Sequence, residues 1–174
     1  MKRQVNLWLM IGPPGSGKTT AVRKIFNENA LHISRDAIRF KMVAENEPYF
    51  SKEDAVYDEF AAQIQRGIDR RESAIIADAS HVTELARIQI LAKLHFPKMD
   101  DTCYTINAVV MKTPIEICKE RNALREGRAC VPNAVIDRMF NQYQDPVNDK
   151  FKFNYILYVD EKGEVIDMKG RDMA

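Results

Sequence analysis

The sequence has no apolar run long enough to cross a membrane, no internal repeat and no low-complexity tract. It also lacks an excess of charge of one sign, because 26 Lys and Arg residues against 25 Asp and Glu residues leave a formal net charge of +1. That balance argues against a protein that coats long nucleic acid by electrostatics alone, although it permits one that grips a single strand end. No linker divides the 174 residues, so we expect one domain over residues 1–174.

Cysteine and histidine are scarce. The three cysteines, Cys103, Cys118 and Cys130, form no C-x-x-C pair, and the three histidines share no metal-ligand spacing. The first residues, Met-Lys-Arg-Gln, lead directly into a predicted strand, so no targeting peptide is visible. An odd number of cysteines without a signal sequence is typical of a reducing compartment, and we therefore expect a cytoplasmic protein.

The most informative feature present is the loop at residues 12–19, Gly-Pro-Pro-Gly-Ser-Gly-Lys-Thr, which matches the phosphate-binding pattern G-x-x-x-x-G-K-[ST] at every position. It follows an apolar run at 5–11 and precedes a predicted helix at 19–29, the strand–loop–helix context that the motif requires. Backbone N–H groups freed by glycine geometry at a helix N-terminus attract the phosphates of a nucleoside triphosphate. The competing interpretation is an ordinary turn rich in glycine and proline.

Two residues of this loop have an expected role in binding ATP and Mg²⁺. Lys18 is expected to reach the β- and γ-phosphates of ATP, and the Thr19 hydroxyl is expected to bind Mg²⁺. The residues predicted to bind the nucleotide here are Gly15, Ser16, Gly17, Lys18, Thr19 and Thr20.

Apolar periodicity and capping signals predict strands that alternate with helices. The predicted strands cover 5–11, 30–34, 73–78, 104–111 and 155–159, with a small edge strand at 165–168. The predicted helices cover 19–29, 35–43, 51–71, 83–96, 113–124 and 132–144. This order indicates an α/β fold in which a mostly parallel central sheet is flanked by helices on both faces. Ligands are then expected at the carboxyl ends of the strands.

Asp78 ends a short apolar run and is predicted to hold Mg²⁺, often through water, as the second acid of phosphate-loop proteins does. The alternative is a turn cap beside Ser80. Asp36 and Arg39 lie three residues apart at the start of a predicted helix, and this spacing puts both on one helix face. There the carboxylate could accept the proton of an attacking hydroxyl and the arginine could grip a phosphate on the substrate. The alternative for this pair is a surface ion pair that contributes little.

A basic segment follows the predicted helix at 113–124. Arg121 and Arg125 lie four residues apart on one helix face, and Arg128 follows just beyond. Arginines that enter a phosphate site from a mobile flap stabilise the transferring phosphoryl group. The competing interpretation is a solvated face on which these arginines pair with Glu120 and Glu126.

Four stretches together resemble the kinase domain of bacteriophage polynucleotide kinase and the related zeta-toxin-like P-loop kinases. They are Ile-Gly-Pro-Pro-Gly-Ser-Gly-Lys-Thr-Thr at 11–20, Ile-Ser-Arg-Asp-Ala-Ile-Arg at 33–39, Ile-Ile-Ala-Asp-Ala-Ser at 75–80 and Glu-Arg-Asn-Ala-Leu-Arg at 120–125. Val-Pro at 131–132 and Val-Ile-Asp-Arg-Met at 135–139 extend the likeness, which covers about residues 4 to 145. The first stretch is generic to nucleotide-binding proteins, whereas the two arginine-bearing stretches are more specific.

The resemblance implies a P-loop kinase-type three-layer sandwich with an arginine-bearing lid at about 121–132. It also implies that Asp36 is the general base, that Arg39 contacts the phosphate next to the acceptor hydroxyl and that Arg125 is the lid arginine. Arg121 would lie near the nucleotide. The sequence departs from the family at Ala79, where a hydroxyl or polar residue is frequent. The chain has no Asp-x-Asp-Gly-Thr motif, so the phosphatase activity of the bifunctional phage enzyme is not expected.

We therefore expect an ATP- and Mg²⁺-dependent kinase that phosphorylates the 5′-hydroxyl of a polynucleotide end. A small-molecule or nucleoside kinase of the same superfamily is the alternative, and a non-transferring NTPase is a third interpretation. Against a GTP switch, the chain contains no Asn-Lys-x-Asp motif. The sequence leaves open the choice between DNA and RNA, the preference for ATP over GTP and the oligomeric state.

Overall fold

The computed structural model describes residues 1–170 and contains a six-stranded sheet. Its strands are β1 (Arg3–Ile11), β2 (Leu31–Ser34), β3 (Ala74–Asp78), β4 (Thr102–Met111), β5 (Tyr155–Val159) and β6 (Val165–Gly170). They lie in the order β2-β3-β1-β4-β5-β6. The first five strands are mutually parallel, and β6 runs antiparallel to β5 at the edge.

Six α-helices connect and cover the strands. They are α1 (Lys18–Ile25), α2 (Arg35–Met42), α3 (Glu53–Asp69), α4 (Glu84–Ala92), α5 (Ile115–Ala123) and α6 (Asn133–Asn141). Two short 3₁₀ turns, Gly127–Ala129 and Pro146–Asn148, follow α5 and α6. The predicted α/β fold with a mostly parallel sheet flanked by helices is confirmed.

The strands β1, β3, β4 and β5 are largely buried on both faces, which explains why they are mostly apolar, whereas the edge strand β6 is exposed. Along β1, Leu7 and Leu9 point into one core while Met10 packs in the other, because successive side chains alternate across a strand. The first core also receives the buried stripe of α3, whose members Phe60 and Ile64 are four residues apart. The second core is covered by α1 through residues such as Val22. Helices therefore lie on both faces of the sheet, as predicted.

Two predicted helices extend too far along the sequence. The first ends at Ile25 rather than at residue 29, because Phe26 adopts an extended backbone and its ring packs edge-on against Trp8 at 5.4 Å. The fourth ends at Ala92 rather than at residue 96. There the backbone of His95 exchanges hydrogen bonds of 2.8 Å and 3.0 Å with the Gln65 side chain instead of continuing the helix.

Two predicted helix caps are also wrong. Helix α3 begins at Glu53, not at Ser51, because the N–H of Ser51 donates to the carbonyl of Pro48 in a turn. Lys52 is therefore the N-cap residue, and its side chain makes no capping hydrogen bond. Thr113 does not cap α5, since its hydroxyl donates instead to the carbonyl of Ser16 at 2.7 Å. The predicted last helix stops at residue 141 rather than 144.

The sheet order decides which residues meet. The carboxyl ends of β2, β3 and β1 are adjacent at one edge, so the chain that follows each of these strands converges there. None of the helices within residues 1–170 combines the length and the apolar character needed to cross a membrane.

Candidate active site

A cleft of about 910 Å³ opens at the carboxyl ends of β1, β2 and β3. One side is lined by the phosphate loop through Gly15, Lys18 and Thr19, and the other by the start of α2, including Asp36 and Arg39. This volume is at the large end of ordinary ligand pockets and suits two substrates side by side. The structure therefore brings the two predicted groups of site residues into one cleft.

The phosphate loop has the backbone that its glycines predict. Gly15 and Gly17 have φ angles of 81° and 89°, in the left-handed region that favours glycine. A Cβ atom on Gly15 would lie 2.2 Å from the carbonyl oxygen of Cys118, so no larger residue fits there without displacing backbone. Helix α1 begins at Lys18 without a side-chain cap, which leaves its first N–H groups free to bind an anion.

Lys18 folds back over this loop. Its Nζ atom donates to the carbonyl oxygens of Gly12 at 2.9 Å and Pro13 at 3.0 Å. Burial lowers the pKa of Lys18, and the nearby carboxylates of Asp78 and Asp36 oppose that shift. An arriving phosphate would supply further negative charge and so stabilise the ammonium form.

Asp78 ends β3 at the floor of the cleft and is 7% exposed. One of its carboxylate oxygens lies 2.9 Å from Nε2 of His32 on the neighbouring strand β2. No local pattern in the sequence indicates this contact, since 46 residues separate the pair. The predicted alternative is a helix or turn cap beside Ser80, but within residues 1–170 the only hydrogen bond described for the Asp78 carboxylate is the one with His32 and none comes from a backbone N–H.

The oxygen atoms near the phosphate loop that could bind a metal ion are suited to Mg²⁺. Thr19 is exposed at the start of α1, and no described hydrogen bond uses the second carboxylate oxygen of Asp78. Within residues 1–170 no group of three His, Cys, Asp or Glu side chains could hold a metal by itself. Mg²⁺ keeps several waters and is bound by one or two protein oxygens plus substrate phosphates, so the oxygens of Thr19 and Asp78 suit this ion.

Asp36 and Arg39 are in direct contact, as their spacing predicts. Ser34 caps α2 by accepting a hydrogen bond from the N–H of Ala37, and the helix then carries Asp36 into the cleft with its side chain 67% exposed. Arg39 is different, because its side chain is only 6% exposed and it donates both to Asp36 and to Glu53. Burial opposes the charge on Arg39, but its hydrogen bonds to Glu53 raise its pKa above the usual range.

Aromatic rings surround Arg39. Its guanidinium lies 4.9 Å from the ring centre of Tyr49 and 5.2 Å from that of Phe50. Both rings come from the loop between α2 and α3 and line the cleft. Glu53, Tyr49 and Phe50 were not among the residues predicted from the sequence to lie at the site. The only signal available was the cluster of two aromatics followed closely by an acid, which is common in loops.

The three arginines predicted to enter the site take different positions. Arg121 lines the cleft and donates to the carbonyl of Glu161 at 2.7 Å. Arg125 also lines the cleft, is exposed, and makes one long contact of 3.5 Å with the carbonyl of Ala129. No ion pair within residues 1–170 joins either arginine to Glu120 or Glu126, so that alternative has no support.

Arg128 reaches across to the loop after α2. It donates to the carbonyls of Val43 and Ala44, each at 3.0 Å, and lies over the ring of Phe40 at 5.4 Å. The basic segment after α5 is thereby tied to the side of the cleft that carries Asp36.

His81 is a further residue that lines the cleft. It is 6% exposed and has a positive φ of 43°. Its Nδ1 atom lies 3.0 Å from the carbonyl of Met10 and therefore donates to it. Burial lowers the pKa of His81 to about 4, so the ring is neutral at pH 7.

A buried ion pair supports the segment that contains His81. Arg87 on α4 is 1% exposed and Asp149 is 3% exposed, and two hydrogen bonds of 2.6 Å and 2.7 Å join them. Arg87 also donates to the carbonyl of His81 at 2.8 Å. The loop after β3 is thus positioned by Arg87, six residues away, which is itself held by Asp149, 62 residues further along the chain.

The glycine loop between β1 and α1, the helix-flanked parallel sheet and the shared cleft define a fold of the P-loop kinase class. A comparison with protein families matches residues 7–146 to the family described as AAA domain, AAA_33. The chain belongs to that family. A search of curated proteins found no match.

Solved structures with the same fold come from kinases with different substrates. The chain is similar to a sugar kinase from Janibacter sp., with a TM-score of 0.58 and 18% identity over 93% of this chain and 87% of that one. It is similar to a chain of the Pnkp1/Rnl/Hen1 RNA repair complex, with a TM-score of 0.66 and 20% identity, covering 88% of this chain and 48% of that one. A fungal RNA kinase gives a TM-score of 0.64 and 16% identity, covering 91% of this chain and 77% of that one. At these identities the likeness concerns the fold.

Proposed function

We propose that the protein is an ATP-dependent kinase that transfers the γ-phosphoryl group to a hydroxyl, with the 5′-hydroxyl of a polynucleotide end as the acceptor. The observation that carries this proposal is the shared cleft: a complete phosphate loop and the exposed carboxylate of Asp36 line the same 910 Å³ space. A nucleotide-binding protein that only hydrolyses its ligand has no need for a carboxylate paired with a buried arginine on the acceptor side.

On the donor side, the loop N–H groups and Lys18 bind the phosphates of ATP. Thr19 and Asp78 are the residues that would hold Mg²⁺, and this ion neutralises charge on the phosphates when it is bound. Arg125 carries no ion pair within residues 1–170 and lies in the segment proposed to be a lid, residues 121–132. Its charge is therefore available for the oxygens of the phosphoryl group in transfer.

On the acceptor side, Asp36 accepts the proton of the attacking hydroxyl. The acceptor oxygen forms a bond to the γ-phosphorus, the bond between that phosphorus and the bridging oxygen breaks, and ADP leaves with the electron pair. Arg39 donates to Asp36 and holds it in place. A carboxylate with a reference pKa of about 4 is ionised at neutral pH and can serve as a base without special tuning.

A polynucleotide acceptor is favoured by three features. The two arginine-bearing stretches resemble those of polynucleotide kinases. Two structural neighbours are an RNA kinase and part of an RNA repair complex, and Arg35 and Arg39 line the acceptor side. A sugar or another small hydroxyl compound is the second candidate. It is supported by the sugar kinase neighbour, of which this chain covers 87%.

The test is transfer of radiolabelled γ-phosphate from ATP to a panel of 5′-hydroxyl DNA and RNA oligonucleotides, nucleosides and sugars, with and without a chelator. Label on the oligonucleotides that disappears when Mg²⁺ is chelated is the expected result. Label found only on sugars or nucleosides would select the second candidate, and label found only in free phosphate would overturn kinase activity.

A further inference from the structure

Three aromatic residues form a rim on the acceptor side of the cleft, and the proposed chemistry does not use them. We define this aromatic rim as Phe40, Tyr49 and Phe50, all of which line the cleft. Phe50 is 61% exposed and Phe40 is 42% exposed, whereas most large apolar residues of the fold are buried. Neighbouring exposed rings at the mouth of a polar cleft indicate a binding surface for a flat apolar group.

The rim is held in place by its own contacts. Tyr49 packs edge-on against Phe50, with ring centres 4.9 Å apart, and lies 5.5 Å from the ring centre of Phe40. Arg39 contacts the rings of Tyr49 and Phe50, and Arg128 contacts those of Phe40 and Tyr49. Because each arginine has further partners, Glu53 for Arg39 and backbone carbonyls for Arg128, the rings are ordered before a ligand arrives.

The guanidinium groups of Arg39 and Arg128 also influence which kind of ligand group binds to the aromatic rim. A guanidinium on one face of a ring draws electron density from it, which favours stacking of a nucleobase on the other face. The same withdrawal weakens contacts with the C–H groups of a sugar, which need an electron-rich ring. Arg128 forms no ion pair with a carboxylate within residues 1–170, so its charge is available to a phosphodiester of the strand.

The place of Phe50 in the cleft determines which nucleotide of the acceptor it can contact. Asp36 must face the terminal 5′-hydroxyl, and the Arg39 guanidinium contacts both Asp36 and the exposed ring of Phe50, so one guanidinium separates Phe50 from the reacting end. We propose that Phe50 and the aromatic rim stack on the base of the second nucleotide of a single-stranded 5′-hydroxyl acceptor. This inference rests on the proposed polynucleotide kinase function and adds a recognition site to it.

The experiment compares two acceptors with every enzyme variant: a 5′-hydroxyl dinucleotide, and the same dinucleotide with an abasic second position. The measured quantity is the ratio of kcat/KM for the first acceptor to kcat/KM for the second. Loss of one base–aromatic stack is worth roughly a tenfold change, so we expect a ratio of about ten for the wild type. We expect Phe50→Ala to lower the ratio to about one, and Phe50→Trp to preserve or increase it.

Tyr155→Ala is the matched control. This tyrosine is also exposed, at 37%, but it lies at the start of β5, at the opposite edge of the sheet from the cleft. It should keep the wild-type ratio. An equal ratio in wild type and Phe50→Ala, while the wild type phosphorylates both dinucleotides, overturns the stacking site alone. A wild-type enzyme that phosphorylates sugars and neither dinucleotide overturns the proposed function, and the stacking site with it.

Discussion

Glu53 holds Arg39 with both of its carboxylate oxygens, at 2.6 Å from Nε and 3.1 Å from Nη2. The same guanidinium donates to Asp36, so one arginine couples a carboxylate on α3 to the proposed base on α2. A two-point grip of this kind fixes orientation as well as charge. We therefore propose that Arg39 acts on the reaction through the position of Asp36, in addition to any contact with an acceptor phosphate.

The first prediction concerns the two hydrogen bonds between Glu53 and Arg39. Glu53→Gln keeps the shape of the side chain but leaves only one oxygen to accept a hydrogen bond and removes the negative charge. Charge-assisted hydrogen bonds are worth roughly 1.5–3 kcal/mol, so we expect kcat/KM for the acceptor to fall about tenfold or more, with the KM for ATP unchanged. Glu59→Gln, on the same helix and paired with Arg66, is the control and should behave as wild type. Wild-type kinetics for Glu53→Gln would show that Arg39 holds its position without this partner.

The second prediction tests Asp36 as the base. Asp36→Asn keeps the side chain in shape and removes the oxygen that accepts the proton. General-base contributions amount to roughly a hundred- to ten-thousand-fold, and we expect a loss of transfer in that range with little change in ATP affinity. Asp58→Asn is matched to it, because the side chains of Asp58 and Asp36 are both 67% exposed and each is paired with a cation. Full transfer by Asp36→Asn to every acceptor would move the search for the base to His81.

The third prediction concerns Lys18. Within residues 1–170 its Nζ atom donates hydrogen bonds only to the carbonyl oxygens of Gly12 and Pro13, so its removal should leave the fold intact. Lys18→Ala should lower transfer by roughly a hundredfold or more, because charge that develops on the phosphates is no longer neutralised. The melting temperature, measured alongside, should stay near the wild-type value. An exposed lysine at the other end of the sheet, Lys2, provides the control substitution. Near wild-type turnover by Lys18→Ala would remove the phosphate loop from the mechanism.

The fourth prediction separates Arg125 from the acceptor side. Arg125 is exposed, lines the cleft and belongs to the proposed lid, so it should act mainly in the transition state. We expect Arg125→Ala to lower kcat by roughly a hundredfold or more while the affinity for ATP changes little. Arg138→Ala, at an exposed position on α6, should be silent in the same assay. A rise in the KM for ATP with kcat preserved would make Arg125 a ground-state binding residue.

The fifth prediction is a pH dependence of stability. His81 has a pKa of about 4 in the folded protein because it is buried, against an ordinary value of 6.5. Between these values the unfolded chain binds a proton that the folded protein does not, so the free energy of unfolding rises with pH in this window. Lowering the pH from 7 to 4 should therefore remove about 3 kcal/mol through this residue.

Urea unfolding at several pH values measures this effect. His81→Asn is the informative variant, because asparagine tolerates the positive φ of this position and does not titrate. Its free energy of unfolding should fall less steeply than that of the wild type as the pH is lowered, whereas His95→Asn, at an exposed position, should follow the wild type. Identical slopes for wild type and His81→Asn would contradict the burial of a neutral ring.

The sequence was most informative where one short stretch determines both conformation and chemistry. The phosphate loop is such a stretch, because Gly15 and Gly17 permit the left-handed backbone and Lys18 follows at once at the start of a helix. The strands could be predicted for a related reason, since a strand buried on both faces needs an unbroken apolar run. Helix ends were less predictable. Thr113 has the composition of a cap, yet a carbonyl of the distant phosphate loop accepts its hydrogen bond.

The sequence by itself thus determined the α/β fold, the phosphate loop and the grouping of Asp36 with Arg39, because each depends on neighbours within a few residues. Only the tertiary structure decided that His32 meets Asp78, through the pairing of β2 with β3, and that Glu53 grips Arg39, through the packing of α3 beside α2. It also decided that Arg128 reaches the loop after α2, from about 84 residues away. Contacts at such separations follow from strand order and helix packing, and these are properties of the assembled core that no local pattern encodes.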